Sequence, residues 1–147
     1  MNEKENTTAL LSAIHKNVTL GCENIAALVP MISDKFLMTN VTGQLEHYAE
    51  LKSRAESAME TYGVRPKKLS LYEKVRTRAG VMASTVFDSS DAHLAEMIER
   101  GTRRGADELE LTMTSAGQGT CDEASMRLCR SVIEFERREA DRVRDFT

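Results

Sequence analysis

Glu136 is the residue of this sequence whose type and spacing point most clearly to chemistry inside a folded core. On a helical wheel it falls at the centre of an apolar stripe made of Cys129, Val132, Ala140 and Val143. A buried carboxylate is costly unless it is protonated, hydrogen-bonded or bound to a metal ion. The stripe therefore predicts either a polar layer inside the core or a ligand site centred on this glutamate.

Gln44 occupies the matching central position of an earlier apolar stripe. If the two segments are antiparallel helices, the amide and the carboxylate of Glu136 lie at about the same level. We expect a hydrogen bond between them across the core, beside Asn17 and with Arg100 or Arg104 as a counter-ion. A polar core layer of this kind serves mainly to fix how helices align.

A metal site is the alternative interpretation of the same carboxylate. Imidazole and carboxylate groups are common ligands of divalent metal ions. The three histidines lie at the flanks of apolar stripes, where a histidine more often forms an interfacial hydrogen bond than binds a metal. The candidate ligands are Glu136, His47, His15, His93 and Glu96.

Composition decides the class of fold that must position these side chains. The 147 residues include only 8 Gly and 2 Pro, with 4 Phe, 3 Tyr and no Trp, so turns are few and strand-forming residues are scarce. An all-β fold is excluded. The net charge of −3 argues against a general nucleic-acid binder.

The predicted location is the cytoplasm. Three cysteines in no ligand-like spacing are typical of free thiols in a reducing compartment. No apolar run approaches the ~18 residues of a membrane span, and the polar first residues do not resemble a signal peptide. We therefore expect neither a membrane nor a nucleic acid as a partner.

Helical periodicity covers almost the whole chain and predicts one domain over residues 1–147. Thr7 or Thr8 could cap the first helix, and a close helix contact is expected at Gly101 and Gly105. The predicted long helices cover about 7–32, 34–62, 89–116 and 122–146.

The connection between the second and third long helices is the informative part of the predicted topology. It contains a further predicted helix over 70–87, which is long enough to return the chain from one end of a bundle to the other. It also contains a basic run, Arg65–Arg78, for which a solvated or intersubunit face is the favoured interpretation.

A long crossover at this place is the ferritin-like connectivity. The chain resembles small ferritin-like proteins, and its segments 44–48 and 93–97 resemble those of bacterial helical proteins of unknown function. The resemblance implies an all-α, antiparallel four-helix bundle. Di-metal members of that superfamily carry Glu-x-x-His on two helices. Here Gln44-x-x-His47 and the reversed His93-x-x-Glu96 stand instead, so a complete di-iron centre is not expected.

No catalytic motif accompanies these features, and no catalytic residue is predicted. We expect a non-enzymatic protein that binds a protein or small-molecule partner or associates with itself, most simply as a dimer, and that requires no cofactor. The alternative is a degenerate ferritin-like protein that binds iron or another divalent metal for storage or redox chemistry.

Overall fold

The computed structural model describes residues 2–68, 80–85, 88–116 and 120–147, and all regular secondary structure among them is helical. The predicted all-α class is confirmed. The long helices are α1 (Glu3–Leu28), α2 (Lys35–Thr61), α4 (Asp91–Ala116) and α5 (Glu123–Val143), and α3 is the helical segment 80–85. Two 3-10 turns follow α1 and α5, at Val29–Met31 and Arg144–Phe146.

Two of the predicted helix starts are confirmed by their caps. The Asp34 carboxylate accepts hydrogen bonds of 2.8 Å from the first turn of α2, and the Asp122 carboxylate accepts one of 2.7 Å from Ser125 at the start of α5. Short polar side chains at these positions satisfy backbone N–H groups that have no partner within the helix.

The other two starts differ from the prediction by a few residues. The first helix begins before Thr7, because Asn2 caps it through a 2.8 Å bond from the Glu5 N–H. The third long helix begins at Asp91 rather than at residue 89, since Ser90 accepts from the His93 N–H at 3.3 Å.

One end of the molecule brings together the start of α1, the end of α2 and the start of α5. The Thr7 hydroxyl accepts from the Asp122 N–H at 3.0 Å, and the Tyr62 hydroxyl donates to the Asp122 carboxylate at 2.5 Å. The Asn6 side chain donates to the carbonyl oxygen of Thr120 at 3.3 Å.

The opposite end brings together the α1–α2 turn and the start of α4. Both oxygens of Asp91 accept backbone hydrogen bonds of 2.9 Å, from Ser33 and from Asp34. Helix α1 runs from the first end of the molecule to the second, whereas α2 and α4 both begin at the second end. Helix α1 is therefore antiparallel to both of them. The predicted helix over 70–87 and the basic run Arg65–Arg78 lie largely outside the described residues.

The long helices pack in neighbouring pairs, α1 with α2, α2 with α5, α5 with α4 and α4 with α1, around one apolar core. The apolar face of α1 is buried in this core, with Leu11, Ile14, Val18, Ile25 and Leu28 each at most 3% exposed. None of the helices in the described ranges is both long and apolar enough to cross a bilayer. The polar groups at the middle of this core therefore stand out from their surroundings.

A candidate binding cleft at a buried carboxylate

A glutamate and a tyrosine form a hydrogen-bonded pair at the middle of the core. The Tyr48 hydroxyl donates to Oε2 of Glu136 at 2.6 Å, and each side chain is only 1% exposed. The Phe135 ring packs edge-on against the Tyr48 ring, with ring centroids 4.9 Å apart. The phenol is thus held in one orientation by packing and by its bond to the carboxylate.

Two glycines on the facing helices make room for this pair. A Cβ atom at Gly21 of α1 would lie 2.7 Å from Cζ of Tyr48, and one at Gly105 of α4 would lie 2.7 Å from Oε2 of Glu136. The expected close contact at Gly105 is therefore present. At Gly101 a Cβ would meet nothing within 4 Å, so the close contact predicted there is wrong.

The buried amide of Gln44 belongs to the same layer, but its predicted bond to Glu136 is wrong. Its Nε2 donates to the Thr102 hydroxyl at 3.2 Å. Tyr48 lies one helical turn further along α2 and takes the place at the carboxylate. Asn17 is beside the layer as expected, and its Nδ2 donates to the Gly105 carbonyl oxygen at 2.9 Å.

Tyr48 and Thr102 are the members of the layer that the sequence interpretation missed. The spacing of Tyr48 places it on the apolar face of α2, and a buried tyrosine hydroxyl usually finds a hydrogen-bond partner. The signal that could have identified it is its place on the core face of α2, one turn from Gln44.

Three acceptor oxygens in this layer have no hydrogen-bond partner among the described residues. They are Oε1 of Glu136, Oδ1 of Asn17 and Oε1 of Gln44, and all three are buried. A buried acceptor that has lost its water without gaining a donor costs about 1–3 kcal/mol. The layer is therefore short of donors, and a group that supplied them would be stabilised there.

Burial raises the pKa of Glu136 from 4.5 to about 7. The hydrogen bonds from Tyr48 and Asn17 favour the ionised form and limit this rise, while the charge of Glu108 adds to it. Burial and the neighbouring carboxylate also raise the pKa of Tyr48 well above 10. Near neutral pH the Glu136 carboxyl therefore titrates between its neutral and ionised forms, whereas the Tyr48 hydroxyl stays protonated.

A cleft of about 570 Å³ opens between α1, α3 and α4 and reaches Glu136 and Tyr48. Since these two are its most deeply buried lining side chains, they form its base. The exposed side chains of Lys16 and Arg104 also line it. Its apolar lining residues are Leu20, Ile25, Leu28, Val81, Met97 and Ile98.

The two arginines expected as counter-ions do not pair with Glu136. Arg100 is exposed and donates to the Glu96 carboxylate at 2.6 Å, one turn earlier on α4. Arg104 is also exposed, on the lining of the cleft. Long charged side chains reach solvent from the flank of a helix, and here hydration outweighs pairing with a buried carboxylate.

The three histidines have separate contacts. The His15 ring lies 3.1 Å from the Glu56 carboxylate, His93 lies 3.0 Å from the carbonyl oxygen of Ser84, and the His47 ring packs on Phe135 at 4.2 Å between centroids. Within the described ranges, no three His, Cys, Asp or Glu side chains form a group that could hold a metal ion.

The arrangement therefore does not fit a metal centre built from the five candidate ligands. Glu136 is hydrogen-bonded to Tyr48, and Glu96 to Arg100, rather than to a shared group. The metal-binding alternative stays a prediction without support from this geometry.

Fold and site together define an all-helical protein with a cleft that ends on a buried carboxylate. Comparisons with protein-family models, with curated proteins and with solved structures find no match. The geometry of the cleft is consequently the main evidence on function.

Proposed function

We propose that this chain is a non-enzymatic binding protein with ferritin-like connectivity, and that its partner is a small molecule held in the cleft between α1 and α4. Two facts support the connectivity. The end of α2, at Tyr62, contacts the start of α5, and the start of α4, at Asp91, contacts the α1–α2 turn. A ferritin-like crossover, which runs the length of an antiparallel four-helix bundle, would join these two ends of the molecule.

The observation that carries the binding function is the cleft that reaches Glu136, whose buried Oε1 has no hydrogen-bond partner among the described residues. Small-molecule sites are concave and mainly apolar, with a few polar groups that orient the ligand, and their volumes are roughly 300–1,000 Å³. A cleft of about 570 Å³ with an apolar wall and a carboxylate at its base matches that description.

A cleft-blocking variant tests this proposal, with n-hexanol as the probe. In Gly101→Leu the new side chain enters the cleft from a position where a Cβ meets nothing within 4 Å. We expect hexanol to shift the amide NMR signals of residues that line the cleft in the natural protein. Its affinity should fall roughly tenfold or more in the variant, because the leucine occupies the site.

Gly43→Leu is the matched control for that experiment. Gly43 is an exposed glycine of α2 whose Cβ would also meet nothing within 4 Å, and it does not line the cleft. Hexanol should bind this variant as it binds the natural protein. If hexanol binds Gly101→Leu as it binds the natural protein, or shifts only signals outside the cleft, the proposed function is wrong.

Self-association through a helix face, most simply as a dimer, is a further part of the proposal. The large apolar side chain of Leu111 on α4 is 71% exposed, and the same face of α4 in a second copy would cover it. We expect light scattering to give twice the monomer mass of 16.4 kDa at high protein concentration. A monomer at every concentration would exclude self-association and leave the cleft proposal untouched.

A cytoplasmic location is proposed on the cysteines. Cys22, Cys121 and Cys129 form no disulfide bond. Free thiols persist in a reducing compartment.

A further inference from the structure

We propose that the cleft selects a small primary amine in its ammonium form, with the ammonium group on Glu136 and the hydrocarbon part along the apolar wall. This inference rests on the proposed function and names the chemical class of its ligand.

The unpaired atoms of the lining indicate what the ligand must supply. Oε1 of Glu136 and Oδ1 of Asn17 are both acceptors, and both belong to residues that line the cleft. An alkylammonium group carries three N–H donors and no acceptor. An alcohol supplies one donor, and a carboxylate supplies none. Of these three head groups, the ammonium best satisfies the two orphaned oxygens.

The distribution of charge along the cleft favours the same choice. Glu136 is 1% exposed, whereas Lys16 and Arg104 of the lining are solvent-exposed. Glu108 is exposed and adds a second negative charge on α4. A small cation at the base would thus meet a desolvated carboxylate, where a hydrogen-bonded opposite charge is strongly favoured over an unpaired one.

The apolar wall determines the body of the ligand. Leu20 and Ile25 lie on α1, and Met97 and Ile98 lie on α4, so hydrocarbon surrounds the path from the mouth to the base. A chain of about six carbons would bury its methylene groups there, at about 0.8 kcal/mol for each CH₂ group. The primary amine supplies the charged group, and the alkyl chain supplies most of the buried area.

Protons and the ligand would compete for the same carboxylate. The other titratable and charged groups that face it are Lys16 from α1, Tyr48 from α2, Arg104 and Glu108 from α4, and Cys129 on α5 itself. Tyr48 and Cys129 have raised pKa values and stay neutral near pH 7. Glu136, with a pKa of about 7, therefore changes charge within this range.

The test compares n-hexylammonium, n-hexanol and hexanoate on the full chain by calorimetry or NMR titration at pH 8. We expect hexylammonium to bind roughly tenfold or more tightly than hexanol, and hexanoate to bind weakest. Between pH 8 and pH 6 its affinity should fall about tenfold, because only the ionised fraction of Glu136 is competent to bind it. The amine stays protonated throughout, since amines of this type have a pKa of about 10.

Two variants connect this preference to the proposed contact. Glu136→Gln should remove both the preference for hexylammonium and its pH dependence while hexanol still binds. Glu134→Gln removes the same charge from an exposed position two residues away and should change neither.

Equal binding of hexylammonium and hexanol would overturn the inference and leave the proposed function standing. Failure of all three probes would reject both. The pH titration of the natural protein decides the matter even if Glu136→Gln does not fold, because a pH-independent affinity between pH 6 and pH 8 also contradicts the proposal.

Discussion

Glu136→Gln is expected to stabilise the protein by about 3 kcal/mol at pH 8 and to leave its stability nearly unchanged at pH 4. The folded protein raises the pKa of this carboxyl from 4.5 to about 7, so the native state binds the proton more tightly than the unfolded chain does. Stability is therefore greatest below the unfolded pKa and is lost as pH rises from 4.5 through 7. At about 1.4 kcal/mol per pKa unit, a rise from 4.5 to about 7 corresponds to a loss of about 3 kcal/mol in the free energy of unfolding.

Glutamine has the shape of the protonated acid and cannot ionise, so the variant should escape that loss. Urea unfolding at pH 4 and pH 8 measures this effect as the difference in free energy of unfolding between the natural protein and the variant at each pH. Glu134→Gln is the control, because Glu134 is exposed on the same helix and its removal should have little effect at either pH. A Glu136→Gln protein that is less stable at pH 8 would show that the charged pair with Tyr48 outweighs the cost of burial.

The features of this fold that the sequence predicts correctly are those set by local patterns. The predicted starts of α2 and α5 agree with the structure because the Asp34 and Asp122 side chains satisfy backbone N–H groups two or three residues away. The buried position of Glu136 follows from the 3.6-residue period of α5, which places it among apolar side chains on the face turned to the core. In each of these cases the deciding neighbours are close in the chain.

The predicted partner of Glu136 is wrong because that contact depends on residues far apart in the chain. A helical wheel places Gln44 and Tyr48 on the same face of α2 but does not show which one reaches across to α5. The choice depends on Gly21 of α1, whose missing side chain leaves space for the tyrosine ring. No single helix contains this information.

The predicted arginine counter-ions of Glu136 are wrong for a related reason. Arg100 lies near the apolar stripe of α4, yet it pairs with Glu96 on its own helix and remains in water. The cleft could not be predicted either, because it depends on where α3 lies relative to α1 and α4. Spacing along one helix gives no measure of such a gap.

Alanine substitution should stabilise the protein at Gly101 and destabilise it at Gly21 and Gly105. In a helix interior Gly→Ala ordinarily stabilises by up to about 1 kcal/mol. We expect that gain at Gly101, where a Cβ would meet nothing within 4 Å. At Gly21 we expect a loss of about 2–3 kcal/mol, and at Gly105 a loss of about 1–2 kcal/mol, because overpacking a filled core costs about 1–3 kcal/mol.

The order of the two losses follows from what each new methyl group meets. At Gly21 it would lie 2.7 Å from Cζ of Tyr48, a rigid ring already packed against Phe135. At Gly105 it would lie 2.7 Å from Oε2 of Glu136. This is the end of a flexible side chain, which can move only by breaking its bond to the tyrosine hydroxyl. The ring has less freedom to move, so its displacement costs more.

Urea unfolding of the three alanine variants at one pH measures these differences. Gly101→Ala controls for helix propensity on the helix that carries Gly105, four residues away. If Gly21→Ala and Gly105→Ala were as stable as Gly101→Ala, the two helices would not approach the Tyr48–Glu136 pair as closely as the structure places them. The base of the cleft would then be wider, and the carboxylate would be open to water rather than dependent on a ligand for its missing donor.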